Sequence, residues 1–545
     1  MIRKFFIALL VCAQSSAFAQ QTNVIQQALH DELDRSMKDL RLDSLAKPFY
    51  ISCTIQDVKV YSINSVLGGI VNSVESNNRV KGNRVLVGGY DFNDESLDNN
   101  LFSTPEANDI DVPLDDDYLG IRRAIWVSID NVYKNAARQF AKNQEMLRDQ
   151  KKPLAEVPHR SFAKVPPVII TTDVKLVPFD KTKWQQQIKK LSEQFLNTDY
   201  PESTVSLSFI QGYTYFVSSE GSSIKTPLQK TVLTATIVGK DKRGEIVVNQ
   251  VSWCADHPDN LPVMAGLTLQ LDLKIKDLDK IQTATKFDDE YNGPVLLQGS
   301  SVAEFIGGIL FMSRERLVAD NNIPGLTGYR NDTRSSIESR IGKNIVSPDL
   351  TVKVLSGTKV YNGVTLLGSF EADSEGVPPP KELMLIENGT LRNILNDRTL
   401  TAETQSYNGH RDGPGVVQIS VNEKNSDKQL KDNLITQAKE AGLEYALIIR
   451  DQSLRIGMFN VYKVALATGE ETLLRTARLS SLALKNLRKI SGSGEEAVYN
   501  FPAGNESSFI SYIVPKSILI DELDIARAEL PSFVEEEYVK SPLKK

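Results

Sequence analysis

Gly293-Pro294-Val295-Leu296-Leu297 is an apolar strand that leads into a second apolar run, Ala303–Leu310. The turn residues Tyr291-Asn292-Gly293-Pro294 open it, and the sequence changes character there. Upstream lie long amphipathic periods. Downstream lie short apolar runs punctuated by Asn362-Gly363, Asn388-Gly389 and Asn408-Gly409, which are turn signals. The shift predicts an α+β chain with a boundary near residue 285. An N-terminal mixed helix and antiparallel-sheet region occupies 20–285, and a β-rich C-terminal domain occupies 286–545.

Outward from that boundary the elements follow from spacing. Ile25, Leu29, Leu33, Met37 and Leu40 form one stripe and predict a helix over 23–41. Strands are expected at 49–62 and 80–88. Residues 91–117 hold ten acids and no base, which reads as a solvated loop. Its last acids sit at the N-terminus of a helix predicted over 117–149, where the dipole favours negative charge. Ile121, Ile125, Ile129, Val132, Ala136 and Phe140 are that helix's apolar face. A shorter helix follows Asp180, with Trp184, Ile188, Leu191 and Phe195 on one side. Residues 203–254 alternate as antiparallel strands. In the second half, Ser426 or Asp427 caps a helix over 428–441 that stops at Gly442. Tyr445–Ile449 is a strand, and Val461–Leu466 pairs with Glu470–Leu474 as a hairpin.

The chain has 545 residues, 41 % hydrophobic and 24 % charged, so it can bury large cores and is not a disordered polymer. A net charge of −6 argues against nucleic acid held on a basic surface. Met1–Ala19 reads as a signal peptide: Arg3 and Lys4, then the apolar run Phe5–Cys12, then Ala17-Phe18-Ala19. Cleavage near Ala19 would leave a periplasmic or secreted protein. The run is shorter than the roughly 20 residues that span a bilayer, so no membrane insertion is expected. Cys53 and Cys254 remain after cleavage; one disulfide and two buried thiols both stay open.

Motif chemistry is sparse. His30, His159, His257 and His410 are followed by Asp31, Arg160, Pro258 and Arg411, so none begins an H-E pair. There is no G-x-S-x-G elbow and no phosphate-binding glycine loop after a strand. Asp373 and Glu375 read as a structural carboxylate pair on a loop.

Several segments after the strand at 293–297 nevertheless form an ordered set: Leu367–Val377 with Asp373-Ser374-Glu375-Gly376-Val377, the hairpin Leu385–Leu391 followed by Asp397-Arg398, then Gly409-His410-Arg411, then Ala477-Arg478-Leu479. In this order they resemble the TldD/PmbA family, metallopeptidase-related proteins long labelled modulators of DNA gyrase. The likeness is close over 290–515 and loose over 22–285. It implies an active branch with H-E-x-x-x-H directly after the apolar strand, and a motif-less branch that completes a heterodimer. The motif's His, Glu and His fall at Gln298, Gly299 and Ala303, so this chain resembles the PmbA-like branch, with no catalytic residue and no metal of its own. Zinc is expected only in a motif-bearing partner. The resemblance thus implies a pseudoenzyme, the non-catalytic subunit of an exported peptide-degrading metallopeptidase complex. Its partners would be an H-E-x-x-x-H-bearing TldD-like paralogue and a peptide substrate. His410 and Arg411 are candidates for a peptide or partner groove, with a turn histidine bonded to backbone as the alternative. Two other functions stay open: an autonomous metallopeptidase with a set such as His257, His410 and Asp412, and a stand-alone peptide-binding module.

Overall fold

The computed structural model describes residues 23–42, 45–97, 110–196, 198–242, 244–319, 337–402, 404–451 and 458–528. The signal peptide expected at 1–19 and residues 98–109 of the acidic stretch lie outside them.

Alternating side chains make the N-terminal half one six-stranded sheet. Gly69–Val87 is its edge, followed by Pro48–Val66, Thr204–Ser218 and Ser223–Lys240. The last of these pairs with both Ile169–Thr171 and Ile246–Ala255. Odd-numbered residues face the helices. Ile51, Cys53, Ile55, Tyr215 and Val217 pack under helices Val24–Asp39 and Tyr118–Asp149. Ile63, Val205, Leu207, Leu233, Ala235 and Ile237 pack under Lys181–Ser192 and Met264–Thr283. The acids before two helices act as caps: Asp117 accepts from Gly120 N at 2.7 Å, and Asp180 from Lys183 N at 2.9 Å.

The C-terminal half begins with Glu290–Gln298, a central strand of an eight-stranded sheet. It pairs in parallel with Tyr445–Arg450 and antiparallel with Ser517–Arg527. Tyr445–Arg450 pairs with Phe459–Ala465, which pairs with Glu471–Leu479. Residues 477–479 then pair with 525–527, so these five strands close on themselves. Both faces are buried, as the unbroken apolar run requires. Val295, Leu297, Leu447 and Ile449 join the main core with helix Ser300–Gly307. Leu296, Ala446, Ile448 and Leu519 lie under helix Asp427–Glu440. Ser426 and Gln429 form a capping box at that helix, and Gly442 ends it with φ +71°. A second six-stranded sheet, with Leu350–Val354 and Val416–Val421 at its centre, closes the core from the other side. The fold is α+β, with its β-rich part in the second half.

Four features differ from the sequence reading or complete it. Strand Gly69–Val87 begins eleven residues before the expected 80, because its polar, largely exposed first half shows no apolar period. Helix Met264–Thr283 was not expected: Leu267, Leu271 and Leu278 are buried, but Leu269 and Leu273 are exposed, which blurs the stripe. The acidic stretch is not wholly solvated. Asn93, Asp94, Ser96 and Leu97 are buried, because Asn143 of the long helix donates to the Asn93 and Asp94 carbonyls and Asp94 accepts from Val87 N. Cys53 and Cys254 are free thiols. Among the described residues no helix is long and apolar enough to cross a membrane.

The register between strands Pro48–Val66 and Thr204–Ser218 makes one sharp demand. A Cβ on Gly212 would lie 2.0 Å from the Asp57 carbonyl oxygen on the adjacent strand. Gly212→Ala should therefore cost about 1–3 kcal/mol of stability by forcing the strands apart. An unchanged denaturation midpoint would contradict this register.

Candidate functional site

The three positions where the resemblance places the zinc motif lie at the carboxyl end of the central strand. Gln298 ends the strand, Gly299 turns the chain, and Ala303 sits on the following helix. Gln298 Oε1 accepts from Arg450 Nε at 2.9 Å, and Arg450 also donates to Glu471 at 3.2 Å. A guanidinium therefore occupies the approach to the only oxygen donor of the three. Gly299 has φ +68°, and a Cβ there would lie 1.8 Å from Asp451 Oδ1. Asp451 is itself engaged, accepting from Ser300 N at 3.1 Å. Ala303 is fully buried in the main core. These residues do not fit a zinc ion: one donor is held by a cation, the second is a glycine in a backbone conformation that strains any side chain, and the third is a methyl group. A cavity of about 70 Å³ adjoins them, lined by Asn249, Lys274, Asp277, Arg450, Asp451 and Tyr462 among others.

The other sequence candidates meet elsewhere. Among the described residues no three His, Cys, Asp or Glu side chains are grouped to hold a metal, so His257, His410 and Asp412 do not converge. His257 packs edge-on to Phe209. His410 is buried; Nδ1 donates to the Asn408 carbonyl at 2.7 Å, and Nε2 lies 3.0 Å from Ser356 Oγ. Burial drives its pKa down to about 4, so the ring is neutral. Asp412 accepts from the Ser374 backbone and hydroxyl.

Arg411, partly exposed, joins the charge cluster that holds the two halves together. Its Nη1 donates to Glu375 Oε1 at 3.1 Å and to Asp397 Oδ2 at 2.8 Å. Glu375 also accepts from Arg84 of the N-terminal sheet and, at 2.9 Å, from the Arg398 amide. Arg84 reaches back to Glu95 at 2.5 Å. Arg398 is fully buried, its guanidinium 4.0 Å from the Phe162 ring centroid. It donates to the Ala163 carbonyl and to Glu220. Asp373 shapes the loop by accepting from the Glu375 and Val377 amides. Gly376 is required at the contact, since a Cβ would lie 2.4 Å from Phe216. The segment Asp373–Val377 thus docks the C-terminal half on the sheet. Its acids are matched by arginines, which suits assembly rather than proton transfer. An open cavity of about 630 Å³, bordered by Tyr90, Lys164, Pro166, Pro167 and Glu220, adjoins the Arg398 pair. Sequence reading placed Arg398 in an ordered segment but assigned it no such role.

Removing one member of a buried pair leaves the other uncompensated, so Arg398→Met should cost about 3–5 kcal/mol in chemical denaturation. Two nearby groups titrate with opposite signs. Burial, then the Glu375 charge, raises Asp373 to about 7, so its share of stability is full below its unfolded pKa and is lost as pH rises toward 7. His410 is depressed, so its share is full above its unfolded pKa and is lost as pH falls toward 4. Asp373→Asn should make stability rise more steeply between pH 4 and 7, and His410→Gln should make it rise less steeply, when unfolding is followed across that range.

Residues 290–527 match the PmbA/TldA metallopeptidase C-terminal domain. No curated protein matches the sequence. Solved structures share the fold along most of the chain. One is described as a candidate modulator of a DNA gyrase from Thermotoga maritima, with TM-score 0.56 and 14 % identity, covering 91 % of this chain and 100 % of that one. A second, so described, from Bacteroides thetaiotaomicron, has TM-score 0.56 and 13 % identity, covering 92 % and 98 %. TldE from Thermococcus kodakarensis has TM-score 0.51 and 14 % identity, covering 92 % and 100 %. At such identities the structures speak for the fold, while the domain match assigns residues 290–527 to the metallopeptidase C-terminal domain of the TldD/PmbA family.

Proposed function

We propose that this chain is the non-hydrolytic subunit of an exported peptide-degrading complex, whose zinc chemistry belongs to an H-E-x-x-x-H-bearing TldD-like paralogue. The observation that carries the reading is Gly299. Its left-handed backbone strains any side chain at the position of the family's general base, and the Asp451 carboxylate lies where a Cβ would stand. Arg450 on Gln298 is the second support, since a fixed cation opposes a divalent ion. The leader Met1–Ala19 supports a periplasmic or secreted location.

Elemental analysis of the purified mature chain should find no stoichiometric zinc, and peptide substrates should stay intact. Hydrolysis should appear on adding the paralogue and vanish when the paralogue's motif Glu is changed to Gln. One tightly held zinc per chain, with peptidase activity lost in His257→Ala, would overturn the proposal and favour an autonomous enzyme. Writing the motif back with Gln298→His, Gly299→Glu and Ala303→His should not create a zinc site. Gly299→Ala alone should cost roughly 1–3 kcal/mol from the left-handed backbone before any clash is counted.

A further inference from the structure

The alternation that buries odd-numbered residues of the N-terminal sheet under helices places even-numbered residues on the opposite face. At one end the C-terminal half covers that face, through Arg84 and Phe216. Farther along, it is at least partly exposed. There Asn72, Asn64, Ser206, Thr234 and Ser252 stand side by side across five strands. The next row, Val74 to Cys254 through Ser62, Ser208 and Val232, is also uncharged. Five strands spaced about 4.8 Å apart make a face roughly 19 Å wide. An ordinary surface of that size carries both signs of charge. This one offers hydroxyls, amides and small apolar groups.

The third row ends on a cation. Lys230 pairs in register with Ile210 and Val60 and stands where the open face meets the C-terminal half. Its ammonium donates to the Leu367 carbonyl and lies 5.5 Å from the Phe509 ring centroid. Among the described residues no carboxylate forms an ion pair with it. Asp256 is the acid that faces it, but Asp256 Oδ1 accepts from the His257 amide and Asn260 Nδ2 instead. An ammonium has three donors, and the protein takes one. Desolvation drives its pKa down to about 8, which a bound anion would reverse.

We propose that this face binds an extended peptide whose C-terminal carboxylate is held by Lys230. The proposal rests on the peptide-handling role above and adds which end of the peptide is recognised. A carboxylate supplies the missing counter-charge, and the rows of Ser, Thr and Asn can hydrogen-bond peptide amides. A lipid acid would find no continuous apolar trough, and the single cation suits one carboxylate.

The test uses the mature chain, immobilised, and a mixed library of ten-residue peptides made with either a free C-terminal acid or a C-terminal amide. Captured peptides are counted by mass spectrometry. The acid form should be enriched about tenfold over the amide, as expected for one charge-assisted hydrogen bond. Lys230→Gln should abolish the preference, and Lys230→Arg should retain it. Equal capture of acids and amides, or a preference that survives Lys230→Gln, would overturn the carboxylate site while leaving peptide handling intact. Capture of neither form would overturn both. If Lys230→Gln does not fold, the wild-type comparison of acid with amide still decides.

Discussion

Glu375 is the point on which the two halves of the molecule depend. It is buried, and it is satisfied only when Arg84 of the N-terminal sheet, Arg411 and the Arg398 amide all reach it. A carboxylate removed from water without partners is costly, so any slip between the halves strands a charge on each side. Arg398, stacked on Phe162 and paired with Glu220, repeats the logic a few residues later. Gly376 then lets Phe216 close on the loop. Polar pairing and apolar packing thus specify the same docking geometry.

The carboxyl end of the central strand Glu290–Gln298 has a different kind of order. There the chain has a guanidinium on an amide, a left-handed glycine against an aspartate, and a buried methyl group. The arrangement is interlocked: Asp451 accepts from the Ser300 amide beside Gly299, and Arg450 is tied to Glu471.

The sequence reading found elements wherever one face is apolar and the other polar. The helices at 24–39, 118–149, 181–192 and 427–440, and the strands near 205–254, have that property. It missed helix 264–283, whose exposed Leu269 and Leu273 spoil the period, and the first half of the edge strand, which has no buried face to leave a trace. At the candidate site it located Gln298, Gly299 and Ala303 by order along the chain. It could not find Arg450 or Asp451 as their occupants, because a strand 150 residues away brings them there.

Alternation, capping residues and turn glycines are local, and the free energies they encode act within a few residues. They determined from sequence alone that the chain is α+β and where its strand-rich half lies. Which charges pair across the halves, that His410 is buried and neutral, and that one sheet face stays open and uncharged beside Lys230 were decided by tertiary structure. Burial is a property of what packs on a residue rather than of its neighbours in sequence, and desolvation and ion pairing follow burial. A histidine, an arginine or a lysine therefore has its role set only when the distant strand that covers it, or leaves it uncovered, is in place.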